Sequence, residues 1–205
     1  TIDNDIKEKI FSFYKNKNLT SDKANPEDIP MTHLLKFANA KKKYLNSLDI
    51  DKINSRIITG WEDGEVKIWD FNSLTRKPKP NHIVDLGEEG NYPILSVSWC
   101  PTGGFFLACT GDNQAKIISR EGIEEISCVS GDSFIVDIRY TKGHTYGIRD
   151  GKWHPLEKNI FITSSVDSTI RLWDIYSKQV GLDSNISQKN IFKAKTTKNK
   201  KIPIN

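Results

Sequence analysis

Three segments of this chain can be laid over one another without a gap, and that internal repeat restricts the fold more than any other feature. Arg56–Phe71 reads RIITGWEDGEVKIWDF, residues 105–120 read FFLACTGDNQAKIISR, and residues 160–175 read IFITSSVDSTIRLWDI. The offsets are 49 and 55 residues. Each copy has an apolar run, a small polar turn holding an aspartate (Asp63, Asp112, Asp167), and a second, alternating run. Six residues after the aspartate stand Trp69, Ile118 and Trp173, followed by Asp70, Ser119 and Asp174. A further short strand is expected upstream of each copy, at 45–50, 94–99 and 151–153.

Apolar and polar residues alternate in VKIW, QAKII and IRLW, the period of two that marks a half-buried strand. Asp63-Gly64 favours a tight hairpin with positive φ, and Asn113 and Ser168 take the Gly64 position in the other copies. Clusters such as WCPTGG (99–104) and KPKPN (77–81) separate the strands. Short strands at regular spacing make an all-β barrel, sandwich or propeller. The repeat length of about 50 residues selects the propeller.

The pairs Trp69-Asp70 and Trp173-Asp174, with Gly143-His144 ahead of the third copy, resemble the WD-repeat signature. The stretches SGDSFIVDIRYTKGH (130–144), TGDNQAKII (110–118) and WHPLEKN (153–159) are similar to the gastrulation-defective type of that family. This likeness runs from about Ile29-Pro30-Met31 to Lys201-Ile202-Pro203. It implies a buried hydrogen-bonded chain of His144, Thr163, Asp167 and Trp173 in the third copy. In the first copy Thr59, Asp63 and Trp69 match, with no histidine near Ala40-Lys41. In the second, Ala108 and Ile118 replace the threonine and tryptophan, so the chain is absent or reduced there. The family implies a nuclear setting, with relatives in cullin-type ubiquitin ligases, chromatin and DNA-break repair, and messenger-RNA processing assemblies. Ligase docking in such proteins uses Trp-Asp-x-Arg; here the fourth residues are Asn72 and Tyr176.

The remaining features argue against catalysis. No GxSxG, P-loop, GxGxxG or HExxH pattern occurs, and the polar stretch Asp150–Pro155 reads as a strand edge. Cys100, Cys109 and Cys128 have no CxxC spacing and read as reduced core residues of an intracellular protein, so neither a cofactor nor a metal is expected. There is no run of 18 apolar residues for a transmembrane helix. No signal peptide is visible. With 37% hydrophobic and 27% charged residues the composition fits a soluble protein with long polar loops.

Trp61 stands where the family has a small residue, and is read either as an exposed interface residue or as partly buried against a neighbouring loop. Ile2–Tyr14 is expected to be a helix capped by Asp3 or Asn4, with Ile6, Ile10, Phe13 and Tyr14 on one face. It either packs on its own propeller or binds a partner. Net charge is +4. Lys189, Lys193, Lys195, Lys198, Lys200 and Lys201 crowd the final stretch, either as a solvated inter-blade loop or as a phosphate-contacting strip on nucleic acid or nucleosomes.

The organisation expected is therefore a helix and linker (1–30), WD-repeat blades (31–188, approximately 31–86, 92–129 and 142–180), and a basic segment (189–205). A start at Thr1 suggests a segment of a longer protein. The three blades are expected to belong to a propeller of about seven, the rest following Asn205 or coming from another source. The functional expectation is a non-catalytic scaffold for proteins of a nuclear, and also cytoplasmic, assembly. The alternatives are a substrate receptor of a cullin-type ligase and weak nucleic-acid contact through the basic segment. Trp61, Lys195, Lys198, Lys200 and Lys201 are the candidate partner-binding residues. No membrane and no small-molecule substrate are expected.

Overall fold

The computed structural model describes Phe37 and residues 43–74, 78–87, 92–132, 134, 137, 140–177 and 185–193. The chain divides into two compact units, Thr1–Leu34 and Leu35–Asn205. The helix expected over Ile2–Tyr14 lies outside the described residues, as do Lys195, Lys198, Lys200 and Lys201.

Thirteen strands are described in the second unit, and they form three sheets. Blade 1 is β1 (Leu45–Ile50), β2 (Arg56–Trp61), β3 (Glu65–Asp70) and β4 (His82–Asp85), paired in that order. Blade 2 is β5 (Ile94–Trp99), β6 (Phe105–Thr110), β7 (Ala115–Ser119) and β8 (Glu124–Cys128). Blade 3 is β9 (Ile148–Trp153), β10 (Ile160–Ser165), β11 (Thr169–Asp174) and β13 (Gln188–Lys193). A two-residue strand, β12 (Asn185–Ile186), leaves blade 3 and pairs in parallel with Ser127 and Cys128 of β8. The aligned sequence copies are the β2–β3, β6–β7 and β10–β11 hairpins, in identical register: Gly60 faces Val66, Cys109 faces Ala115, and Ser164 faces Ile170.

The two faces of blade 2 build two separate cores, as the period of two requires. On one face Val97, Trp99, Phe106, Ala108 and Ile118 pack on Ile58, Val66 and Ile68 of blade 1. On the other, Leu107, Cys109 and Ile117 pack on Ile148, Trp153, Phe161 and Trp173 of blade 3. The first strands of successive blades are also tied together by side chains. Asp49 Oδ2 accepts from Trp99 N at 2.6 Å, and Ser98 Oγ, one blade on, accepts from Trp153 N at 3.2 Å. The repeated bond fixes the stacking of one blade on the next by pairing buried backbone donors.

Three local expectations need correction. β9 begins at Ile148 rather than at Gly151; its exposed Arg149 and Asp150 hide the strand from an apolar count. Asn113 does not adopt positive φ, whereas Gly64 (φ 82°) and Ser168 (φ 66°) do. In the second copy the turn is held instead by Asp112 Oδ1, which accepts from Asn113 N at 2.7 Å. Finally, Gln188–Lys193 is not a loop or tail but the outer strand of blade 3, paired with β11 from Thr169 to Trp173. The lysines there disguise a strand whose pairing groups are backbone.

Candidate interaction surface

The β2–β3, β6–β7 and β10–β11 hairpins and the segments entering each blade's first strand lie at one end of the sheets, and the buried polar chain beneath them holds that end in shape. In blade 3, His144 Nδ1 lies 2.9 Å from Asp167 Oδ2, and its Nε2 lies 2.8 Å from Thr163 Oγ1. Trp173 Nε1 donates to the same hydroxyl at 2.7 Å. The Asp167 carboxylate can only accept, so a neutral imidazole carries its proton on Nδ1 and takes the Thr163 hydroxyl hydrogen at Nε2. Burial pushes the His144 imidazole below its ordinary value, so it stays neutral. Burial works to raise Asp167, but hydrogen bonds from His144, Thr169 and Thr145 N hold its carboxylate below the usual range.

The structure thus brings together all four residues expected in the third copy and adds Arg171. Its guanidinium, fully buried, donates to Thr141 O at 3.0 Å and to Thr141 Oγ1 at 2.8 Å, with Nη2 3.9 Å from Asp167 Oδ2. Burial, opposed by the Asp167 charge, lowers this guanidinium to about 10. Gln188 of β13 also donates to Thr141 O, at 2.5 Å. The signal for Arg171 was present in IRLW, where alternation puts it on the inward face with Thr169 and Trp173.

In blade 1, Thr59 and Trp69 meet as expected, with Trp69 Nε1 donating to Thr59 Oγ1 at 2.8 Å. Asp63 accepts from Glu65 N within its own hairpin. Trp61 is not a surface residue: it is 3% exposed, and its Nε1 donates to the same Thr59 oxygen at 3.0 Å. Lys67 Nζ lies 4.9 Å from the centroid of its ring. An indole N–H thus occupies the second position on the threonine, where blade 3 has an imidazole. Alternation also places Trp61 on the same face as Thr59, an observation that exposure reasoning overlooked. In blade 2, Ala108 and Ile118 are fully buried and apolar.

The stretch 130–144 is gripped at its base. Gly131 N donates to His144 O at 2.7 Å, and a side chain on Gly143 would run into the Val129 carbonyl. Away from the base, Phe134 is 96% exposed and Tyr140 is 74% exposed. The two basic residues of β13 are ion-paired: Lys193 Nζ lies 2.7 Å from Asp137 Oδ1, and Lys189 Nζ lies 3.3 Å from Asp174 Oδ2.

Between blades 2 and 3, at the hairpin end, lies a groove of about 350 Å³ lined by Tyr92, Pro93, Leu95, Tyr146, Arg149 and Val166, together with Gly111, Gly147 and Ile148. Among the described residues no cluster of three or more His, Cys, Asp or Glu could hold a metal ion. No helix described is long and apolar enough to cross a membrane.

Stacked four-stranded blades with a buried Trp–Thr–His–Asp chain define a WD-repeat β-propeller, a class that works through protein–protein contacts. A model of the WD domain, G-beta repeat, matches residues 82–119 and 136–174; the first match starts in β4 and ends in β7, straddling two blades. The chain belongs to the WD-repeat family. It is 35% identical over 174 residues to WD repeat-containing protein 70 of Rattus norvegicus and 34% identical to that of Homo sapiens. It is 32% identical over 145 residues to the gastrulation defective protein 1 homolog of Drosophila melanogaster. These alignments cover 85%, 85% and 71% of this chain and 25%, 25% and 22% of the relatives. The chain therefore spans about a quarter of the length of the curated relatives it matches. Among solved structures, the WD40 repeats of RRP9 and U3-55K each superpose with a TM-score of 0.57, at 10% and 11% identity. They cover 75% of this chain and 39% and 40% of theirs.

Proposed function

We propose that the chain is part of a non-catalytic scaffold that holds proteins together in a nuclear assembly, in chromatin and DNA repair or in RNA processing. The observation that carries the scaffold reading is a hydrogen-bonded base beneath exposed aromatic side chains. The Arg171–Thr141 and His144–Asp167 bonds hold the C-terminal end of the 130–144 stretch, and the Gly131–His144 backbone bond ties its start to that end, while Phe134 and Tyr140 face solvent. Large aromatic side chains on a fixed frame give contact area at small entropic cost. The nuclear part of this reading rests on the likeness to the gastrulation-defective type alone.

The ligase-receptor alternative has no arginine at Asn72 or Tyr176 to support it. Nucleic-acid contact through the basic segment loses two of its six lysines to ion pairs with Asp137 and Asp174. The test is affinity capture of the full-length protein from nuclear extract, with and without nuclease, read by mass spectrometry. Chromatin or RNA-processing proteins retained after nuclease support the scaffold. Recovery of the cullin adaptor would make it a ligase receptor, and nuclease-sensitive recovery alone would make it a nucleic-acid binder.

A further inference from the structure

The groove between blades 2 and 3 is built rather than incidental. Gly111 N donates to Pro93 O at 3.0 Å, Ile148 N to Asp112 O at 2.8 Å, and Val166 N to Gly147 O at 3.2 Å, so backbone bonds fix its walls. A side chain on Gly147 would strike the Gly111 carbonyl, so the bare backbone at Gly147 lets the hairpin of blade 2 come against the entry to blade 3. Tyr92 and Tyr146 remain 44% and 64% exposed at its rim.

Among the described residues, Arg149 is the only charged side chain lining the groove. It is exposed, and no hydrogen bond or ion pair engages it among the described residues. The carboxylate next to it in sequence, Asp150, accepts instead from Ser96 Oγ at 2.5 Å and Gly151 N at 2.8 Å. Asp112 turns its Oδ1 to Asn113 N in its own hairpin. A planar guanidinium with free donors, beside an aromatic and aliphatic recess, complements a carboxylate next to an apolar side chain. The volume suits one or two large side chains rather than a folded domain. A single cation is too few for a nucleic-acid track, which relies on several phosphate contacts.

We propose that this groove binds an extended peptide segment of a partner protein, taking one aromatic or aliphatic side chain between Tyr92 and Tyr146 and one aspartate or glutamate carboxylate on Arg149. The proposal rests on the scaffold reading and names the chemistry of one of its partners.

Short fluorescein-labelled peptides with Asp-Phe or Glu-Leu cores in a Gly/Ser background test it by polarisation on the full-length protein. Matched controls carry Lys for the acid or Ser for the apolar residue. Acidic-apolar peptides bind, and both controls bind at least about tenfold more weakly. Arg149→Glu removes that preference and gains affinity for the Lys-Phe peptide, with an unchanged melting temperature. Tyr146→Ser weakens all apolar peptides while keeping the preference for acid. The proposal is overturned if no peptide binds, if acid and lysine peptides bind alike, or if Arg149→Glu leaves affinities as they were. It is also overturned if a single-stranded oligonucleotide occupies the groove more tightly through Arg149. Affinity capture separates the two readings: identical partners on wild type and Arg149→Glu sink the groove and leave the scaffold, whereas no partners on wild type sink the scaffold itself.

Discussion

His144 and Asp167 face each other across 2.9 Å with neither side chain reaching solvent. Residues 23 positions apart in the chain thereby join the entry to blade 3 to its β10–β11 hairpin.

This pair makes stability depend on pH. The folded imidazole binds its proton less readily than the unfolded one, so its contribution is complete above the ordinary value of 6.5 and declines as the pH falls below it. Asp167 acts in the same sense below 3.8, because its carboxylate too is depressed on folding. The melting temperature of the full-length protein, scanned from pH 8 to pH 5, should fall below about pH 6.5. In His144→Gln that slope should flatten.

The two threonines at the centre of their chains should be sensitive to loss of oxygen rather than of volume. Thr59→Val strands the indole N–H groups of Trp61 and Trp69, and Thr163→Val strands that of Trp173 and a nitrogen of His144. Each unsatisfied buried group costs ~1–3 kcal/mol, so either variant should lose about 2–4 kcal/mol in denaturant titration. Serine at either site should restore most of it.

At Gly143 the issue is space. A methyl group there meets the Val129 carbonyl, which is backbone and cannot rotate away. Gly143→Ala should cost about 1–3 kcal/mol or more, and hydrogen exchange should quicken at Gly131 N, whose bond to His144 O depends on that approach.

The ion pairs of β13 should behave otherwise. Lys189→Ala and Lys193→Ala remove half-exposed partners, and each should change stability by about 0–1 kcal/mol, less at high salt.

Cys100, Cys109 and Cys128 are all buried thiols, and burial pushes those of Cys109 and Cys128 well above the ordinary range. Iodoacetamide should therefore fail to label them in the folded protein and label all three in denaturant. Rapid labelling under native conditions would contradict the burial.

The hairpins were legible because their signals are local: alternation, a turn aspartate and a tryptophan at fixed spacing. The third-copy chain was legible only through family likeness, since nothing local pairs His144 with a residue 23 positions on. At Trp61 the sequence leaves surface and partial burial open, although its hydrogen-bond partner Thr59 stands two residues away on the same face. The strand at Gln188–Lys193 was hidden because an outer strand pairs through backbone and tolerates any exposed side chain. The groove left no trace in sequence, because Tyr92, Tyr146 and Arg149 come from two loops and a strand that only the stacking of blades 2 and 3 brings together.

The short strand Asn185–Ile186 has a consequence for association. An outer strand with unpaired amides and carbonyls is a template onto which another chain can add. By lying along Ser127 and Cys128 of β8, with Ile186 O accepting from Val129 N at 2.9 Å, it covers the C-terminal end of the blade 2 rim with a piece of the same molecule. Among the described strands, β4 and β13 are left as the outer rims of their sheets, and β13 carries Lys189 and Lys193 along its length. Strand-by-strand growth into fibrils is thereby opposed at the Ser127–Cys128 end of blade 2 by self-pairing and at blade 3 by the two lysines.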